Sequence, residues 1–140
     1  MTDGNADDHN DWPKEEIKKF MKEVIGKYSS TWYYSPFGWR LIGWSHYTLE
    51  STKDEITEQE AEEFLEKDYR LITRVCQHYL KVRLNQNQNI ALVSFAFDIG
   101  PTNFIKSKFL ERLNSGEDPV KVAEEEMYKW VYVTIIGSNG

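Results

Sequence analysis

A strongly apolar segment between two helix-terminating signals sets the centre of the predicted fold. Asn85 can cap the start of a helix, and the Gly100-Pro101 pair ends it. Between them, residues 90–97 are hydrophobic nearly all round, so the predicted helix over residues 86–98 has little polar face to turn toward water. We therefore expect this helix to lie in the middle of the fold.

The segments before this helix predict one helix, a small sheet and a second, longer helix. Pro13 suits the first turn of a helix, and Gly26 can end that helix in a left-handed conformation. Residues 31–48 are aromatic and β-rich around a Ser-Pro-Phe-Gly turn, which predicts a small antiparallel sheet or an irregular β-hairpin. Residues 57–60 form a capping box that opens a long helix reaching about Leu80.

The rest of the chain predicts further helices and completes an α+β arrangement. A short helix is expected over residues 103–113, and another runs from Pro119 to about Val131, followed by a β-branched stretch and a flexible tail. Helix, small sheet and several helices in that order predict a single, mainly helical α+β domain over residues 12–140, with its sheet near the N-terminus. Residues 1–11 are acidic and polar and predict a disordered tail.

Composition excludes several classes of protein. The single cysteine, Cys76, allows no internal disulfide and falls at an apolar helical position, which favours a buried thiol over a reactive one. No apolar run approaches the roughly 20 residues that cross a bilayer, and the N-terminus lacks an export signal, so we expect synthesis in the cytoplasm and no membrane span. The net charge of −6 argues against a nucleic-acid partner and weakly against attack on an anionic cell wall.

Residues 33–46 read YYSPFGWRLIGWSH and carry a family signature. They resemble the pattern Y-x-D-P-x-G-x-x-T-I-G-Y-G-H of the phage-type lysozymes of glycoside hydrolase family 24. The similarity continues through residues 56–68, is strong over residues 91–100, and extends to Trp130. The resemblance implies a lysozyme-like fold and, for an active member, hydrolysis of the glycosidic bond between peptidoglycan sugars. It also implies a phage or prophage origin, hence a location in a host bacterium.

The positions that carry the family's chemistry are occupied differently in this sequence. The family uses a Glu at the end of the first helix as the acid, an Asp nine positions later as the opposing carboxylate, and a Thr six positions beyond that. Carried onto this chain, those positions hold Gly26, Ser35 and Leu41. None of them supplies a proton or a carboxylate, so the resemblance implies a catalytically inactive relative that is reused for binding.

An alternative keeps the enzyme active or weakly active through a relocated carboxylate. Glu23 lies one helical turn before Gly26 and is either an exposed surface acid or the acid of a displaced cleft. Asp98 replaces the Asn usual in the family's F-A-F-N-x-G run, and it is either a new acid or a structural residue. Glu50 and Asp54 are further candidates of the same kind.

The aromatic segment predicts a binding surface for a glycan or for a protein partner. The alternative is that about half of these side chains fill the core beneath the sheet. A peptidoglycan fragment or an unidentified protein is the expected ligand, and the acidic surface would suit a basic host protein. The candidate binding residues are Trp32, Tyr34, Phe37, Trp39, Arg40 and Trp44.

The remaining predictions concern structure and assembly. The resemblance pairs His46 with Asp68 in a structural contact between sheet and long helix. His9 and His78 have no partners at metal-ligand spacing, so neither a metal nor another cofactor is expected. The family continues beyond Trp130 through an Arg-rich terminal helix, whereas here residues 131–136 are apolar and predict a cover by a partner or by self-association.

Overall fold

The computed structural model describes residues 12–36, 38–47 and 53–139, with side chains described up to Trp130. The predicted tail over residues 1–11, together with Phe37 and Glu50, lies outside the described residues. The elements are α1 Lys14–Ile25, β1 Ser29–Tyr34, β2 Arg40–Gly43, β3 His46–Tyr47, α2 Glu58–Tyr79, α3 Gln86–Ile99, α4 Pro101–Lys106, α5 Lys108–Asn114 and α6 Pro119–Asn139. The strands form an antiparallel sheet in the order β1-β2-β3, which confirms the mainly helical α+β class with a small sheet near the N-terminus.

Helix α3 lies at the centre, as its apolar sequence predicts. It packs against α1, α2 and α4, and Val93, Ala96 and Ile99 are fully buried on it. Asn85 caps its first turn by accepting the Gln88 backbone N–H at 2.8 Å. Burying an apolar face on several sides supplies most of the stability of such a helix, because propensity alone rarely sustains it in water.

Helix α2 begins at the predicted capping box and carries the sheet. The Thr57 side chain accepts the Glu60 backbone N–H at 3.1 Å, and the Glu60 carboxylate accepts the Thr57 N–H at 3.0 Å. The helix packs against both α3 and β2, and Cys76 is fully buried on it. Burial raises the pKa of the Cys76 thiol, which confirms the prediction of a structural rather than a reactive cysteine.

Two predicted helix boundaries were wrong. The segment predicted as one helix over 103–113 forms α4 and α5, because Ser107 takes an extended backbone (ψ 146°) and caps α5 by accepting the Leu110 N–H at 3.1 Å. Helix α6 does not end near Val131 but continues to Asn139. β-Branched residues lower helix propensity only slightly, and no proline follows Pro119 to stop the helix.

The helices were also compared with the dimensions of a bilayer. Among the residues that the structure describes, no helix combines the length and apolarity needed to span one.

Candidate active-site cleft

A cleft of about 480 Å³ opens where the C-terminal end of α1, the sheet, α2 and the α3–α4 junction meet. Apolar side chains from all four elements form most of its wall, with Val24 and Leu71 at 58% and 61% exposure. Its charged lining residues are Asp68 and Asp98. A groove of this kind, apolar with a few convergent polar groups, is typical of a ligand site.

A second, more polar cavity of about 520 Å³ adjoins the cleft. The two cavities share four lining residues, which are Val24, Ile25, Ser45 and Asp98. Lys27, Ser29 and Tyr33 lie on the polar side. Tyr33 Oη and Ser45 Oγ are 3.0 Å apart and hydrogen-bonded. This side cavity offers hydroxyl groups and one ammonium next to the apolar cleft.

The end of α1 places Ile25, and not Gly26, against the cleft. Gly26 ends the helix with φ +90°, donates its N–H to Lys22 O at 2.8 Å, and lines neither cavity. Ile25 lines both. The prediction that Gly26 holds the acid's place in the cleft is therefore corrected, because capping turns the chain away from the groove at Gly26. The residue that faces the groove is an alkyl group and has no proton to give.

Glu23 is not brought to the cleft either. Its side chain is exposed and lines neither of the two cavities. It lies two positions before Ile25, which is a rotation of about 200° around an α-helix. Glu23 is therefore an exposed surface carboxylate, which is the first of the two interpretations that its sequence position allowed.

Ser35 and Leu41 do lie in the cleft, as their sequence positions predict. Ser35 holds the turn between β1 and β2, where its Oγ accepts the Trp39 N–H at 3.1 Å and its own N–H donates to Trp39 O at 2.8 Å. Leu41 pairs with Tyr33 across the sheet and is 8% exposed. The cleft wall therefore has the hydrogen-bonded hydroxyl of Ser35 at one of these positions and the branched alkyl group of Leu41 at the other.

The structure brings His46 and Asp68 together. His46 Nδ1 lies 2.8 Å from Asp68 Oδ2, and the imidazole stacks on Phe64 with ring centroids 4.1 Å apart. The contact joins β3 to α2 beside the cleft, and both side chains are mostly shielded from solvent. This contact orients the sheet on α2. It also occupies Asp68, one of the two carboxylates that line the cleft.

Replacing Asp68 by Ala is expected to lower the free energy of unfolding by about 1–3 kcal/mol, because a shielded imidazole nitrogen loses its partner. Urea unfolding followed by circular dichroism measures the change. Glu124→Ala removes a carboxylate from an exposed position on α6 and serves as the matched control. Equal stability of the two variants would contradict a structural role for the pair.

One of the predicted aromatic residues lines the cleft. Trp39 stands in its wall beside Tyr47, with ring centroids 5.5 Å apart, and packs against Gly100. Tyr34 is 73% exposed but lines neither cavity, and Phe37 lies outside the described residues. The described part of the predicted aromatic surface therefore contributes to the cleft through Trp39.

Two other tryptophans are engaged elsewhere, which corrects part of the binding prediction. Trp44 is 9% exposed and belongs to the core beside Tyr28, so it presents no recognition surface. Trp32 carries the Arg40 guanidinium over its ring at 4.0 Å and donates its ring N–H to Lys53 O at 3.1 Å. Pairing with Arg40 through a cation–π contact covers one face of Trp32.

Asp98 is the group whose position could not be predicted from the sequence. It is the penultimate residue of α3 and lines both cavities. Its carboxylate makes no hydrogen bond or ion pair with any other described residue. Although its side chain opens onto the groove, the surrounding walls displace part of its hydration, and this desolvation raises the pKa of the carboxyl group.

Asp98→Asn is expected to raise stability at neutral pH and to lose that advantage in acid. A folded-state pKa above the unfolded value means that the folded chain binds its proton more tightly, so stability falls as pH rises from about 3.9, the ordinary aspartate value, through the raised pKa. Melting temperatures of both proteins across this window test the expectation. A constant difference between the two curves would show that Asp98 is normally solvated.

Comparison with known proteins agrees with this architecture. The sequence profile described as "Phage lysozyme" matches residues 23–139. The chain belongs to the phage lysozyme family. This phage lysozyme is 36% identical over 98 residues to an endolysin of Acyrthosiphon pisum secondary endosymbiont phage 1, covering 70% of this chain and 66% of that relative. It is 39% identical over 84 residues to an endolysin of Bacillus phage PZA, covering 59% of this chain and 33% of that protein.

Solved structures extend the likeness of this phage lysozyme to three dimensions. The muramidase domain of SpmX from Asticaccaulis excentricus superposes with a TM-score of 0.67 at 28% identity, covering 84% of this chain and 78% of that one. An endolysin from Escherichia coli O157:H7 phage FAHEc1 superposes with a TM-score of 0.60 at 27% identity, covering 78% and 70%. These matches confirm the lysozyme-like fold.

The matched family is one of enzymes that act on peptidoglycan. Its members include glycoside hydrolases that act on peptidoglycan, and the relatives named above are endolysins and a muramidase domain. The chain spans between a third and two thirds of the length of the two curated endolysins it matches. The cleft beside the sheet is the candidate site for the activity of this chain.

Proposed function

We propose that this phage lysozyme binds the glycan of peptidoglycan in its cleft without hydrolysing it. The observation that carries the proposal is the lining of the cleft, where Ile25, Ser35 and Leu41 stand in the wall. Trp39 and Tyr47 provide an aromatic wall of the kind on which sugar rings pack. The family supplies the class of ligand.

Neither Ile25 nor Ser35 is a carboxylic acid, and this is the physical reason for proposing binding without cleavage. Glycosidases place an acid and an opposing carboxylate about 5–9.5 Å apart across the scissile bond. The carboxylates that line this cleft are Asp68, which is hydrogen-bonded to His46, and Asp98. General acid–base catalysis contributes about 10²–10⁴-fold per group, so losing both roles removes most of the rate.

A second candidate function is slow hydrolysis with Asp98 as the acid. Its position in the groove favours this function, and desolvation shifts the pKa of its carboxyl group upward, the direction that a general acid requires. The endolysin relatives point in the same direction. A protein partner, the other ligand expected from the aromatic segment, stays a prediction.

The experiment uses purified sacculi and the full chain. Co-sedimentation measures binding, and release of new reducing ends measures cleavage of the glycan. Bound protein with no new reducing ends above a buffer blank is the expected result. Trp39→Ala should weaken binding, whereas Tyr34→Ala, which alters an exposed ring outside both cavities, should leave it unchanged.

Each other outcome has a defined meaning. Reducing ends that disappear in Asp98→Asn would replace the proposal by the second candidate. Reducing ends that disappear in Glu23→Gln would restore the relocated acid predicted from the sequence. A chain that neither binds nor cleaves sacculi would refute glycan recognition altogether.

A further inference from the structure

Asp98 occupies the junction between the apolar cleft and the polar side cavity, and the proposed binding function gives it no role. It lies at the C-terminal end of α3, where a negative charge is disfavoured by the helix dipole. Desolvation by the cleft walls adds to that cost and raises the pKa of the carboxyl group. Both effects destabilise the negative charge of Asp98, so a nearby cation would stabilise its carboxylate.

The charged residues around Asp98 do not supply this cation. Asp68, the other charged residue of the cleft, is a second acid and is engaged by His46. Lys27 lines the side cavity but not the cleft, and it forms no ion pair with Asp98. Within the described residues, the cleft side of Asp98 is therefore a position where a ligand's own positive charge would find an unpaired partner.

We propose that Asp98 makes the cleft prefer glycans that carry a free, protonated 2-amino group over their N-acetylated counterparts. This inference rests on the proposed function, because it assumes that a glycan occupies the cleft. The ammonium of an amino sugar would compensate the Asp98 carboxylate, while its ring packs along the wall formed by Trp39 and Tyr47.

The chemistry of the two sugar forms explains the preference. An acetamido group is neutral and offers a single N–H donor, so it leaves the carboxylate without a counter-charge. An ammonium group offers three donors and a full charge, so its contact with the carboxylate is an ion pair as well as a hydrogen bond. Partial desolvation at Asp98 strengthens the attraction further, because the local dielectric is lower than in water.

Calorimetric titration with a matched pair of probes tests the inference. The probes are the β-1,4-linked tetramer of N-acetylglucosamine and the same tetramer fully deacetylated, in mildly acidic buffer of moderate ionic strength. We expect the wild-type chain to bind the deacetylated tetramer at least about tenfold more tightly, the difference that one charge-assisted hydrogen bond supplies. Asp98→Asn, which keeps the shape and removes the charge, should abolish the preference.

Lys27→Gln is the matched control, because it changes the nearest charge of the side cavity and leaves the cleft intact. It should keep or slightly increase the preference, since it removes a like charge from the ligand's surroundings. Chemical N-acetylation of sacculi should weaken co-sedimentation of the wild-type chain and not that of Asp98→Asn.

The outcomes separate this inference from the function on which it rests. Equal affinity of the wild-type chain for both tetramers would overturn the inference and leave glycan binding standing. A preference that persists in Asp98→Asn would also overturn it, since overall charge would then be its cause. Binding of neither tetramer nor sacculi would refute the proposed function itself.

Discussion

The triple variant Ile25→Glu, Ser35→Asp, Leu41→Thr is expected to hydrolyse peptidoglycan at least about 10²-fold faster than the unsubstituted chain. It returns an acid, an opposing carboxylate and a hydroxyl to three positions that already line the cleft. Asp at position 35 can still accept the Trp39 N–H that Ser35 accepts at 3.1 Å, so the turn is preserved. Ile25 is chosen for the acid because Gly26 has φ +90° and lies outside the groove.

The measurement is the release of reducing ends from sacculi, with thermal unfolding as a check that the variant is folded. Ile25→Gln, Ser35→Asn, Leu41→Thr is the matched control, because it has the same shape without the carboxylates. A folded triple variant that is no faster than this control would mean that these positions do not determine whether the chain cleaves the glycan.

The second large effect is expected at Gly100, where α3 ends against the cleft wall. Gly100 has φ +91° and ψ 150°, a conformation that is essentially restricted to glycine. A Cβ at this position would lie 2.8 Å from the Trp39 ring. Strain and overpacking together predict that Gly100→Ala lowers the free energy of unfolding by about 2–4 kcal/mol.

Gly116→Ala separates the two contributions. Gly116 also has a positive φ, +92°, but no atom lies within 4 Å of the Cβ that it would gain. It should therefore cost about 1–2 kcal/mol, from backbone strain alone. Adding Trp39→Phe to Gly100→Ala should recover part of the loss, which a double-mutant cycle from urea midpoints would reveal as non-additivity.

The triple variant and Gly100→Ala both involve contacts of Trp39, so this residue connects the stability of the fold with the cleft. The ring is held between Gly100 and Tyr47 and lines the cleft. A side chain at position 100 would push it into the groove, so Gly100→Ala should also weaken binding to sacculi. The close approach of α3 to the sheet thus sets the position of the aromatic wall.

The fold was predictable because its signals are local. The apolar run over residues 90–97 required enclosure whatever surrounded it, and the capping box over residues 57–60 requires only neighbouring side chains and amides. The β-rich pattern of residues 31–48 and its turn likewise predicted the sheet. The break at Ser107 and the continuation of α6 past Val131 were not predicted, because both depend on backbone torsions rather than on a stop residue.

The aromatic segment shows where local reasoning ends. Trp39 and Trp44 have the same chemistry and lie five positions apart, yet one lines the cleft and the other is buried in the core. Alternation along a strand predicts that neighbours point to opposite faces, but not which face meets a groove built from α2 and α3. That is decided by elements distant in sequence.

By itself, the sequence determined the family, the central helix and the placing of Ser35 and Leu41 in the cleft wall, since these follow from local patterns along the chain. The tertiary structure decided that Ile25 faces the groove and Glu23 does not, and that Asp98, between two cavities, has no ionic partner among the described residues. The physical reason is that the functional group of a side chain is fixed by the residue type. Its hydration, its hydrogen-bond partners and the direction in which it points depend on the residues that pack around it in the folded chain.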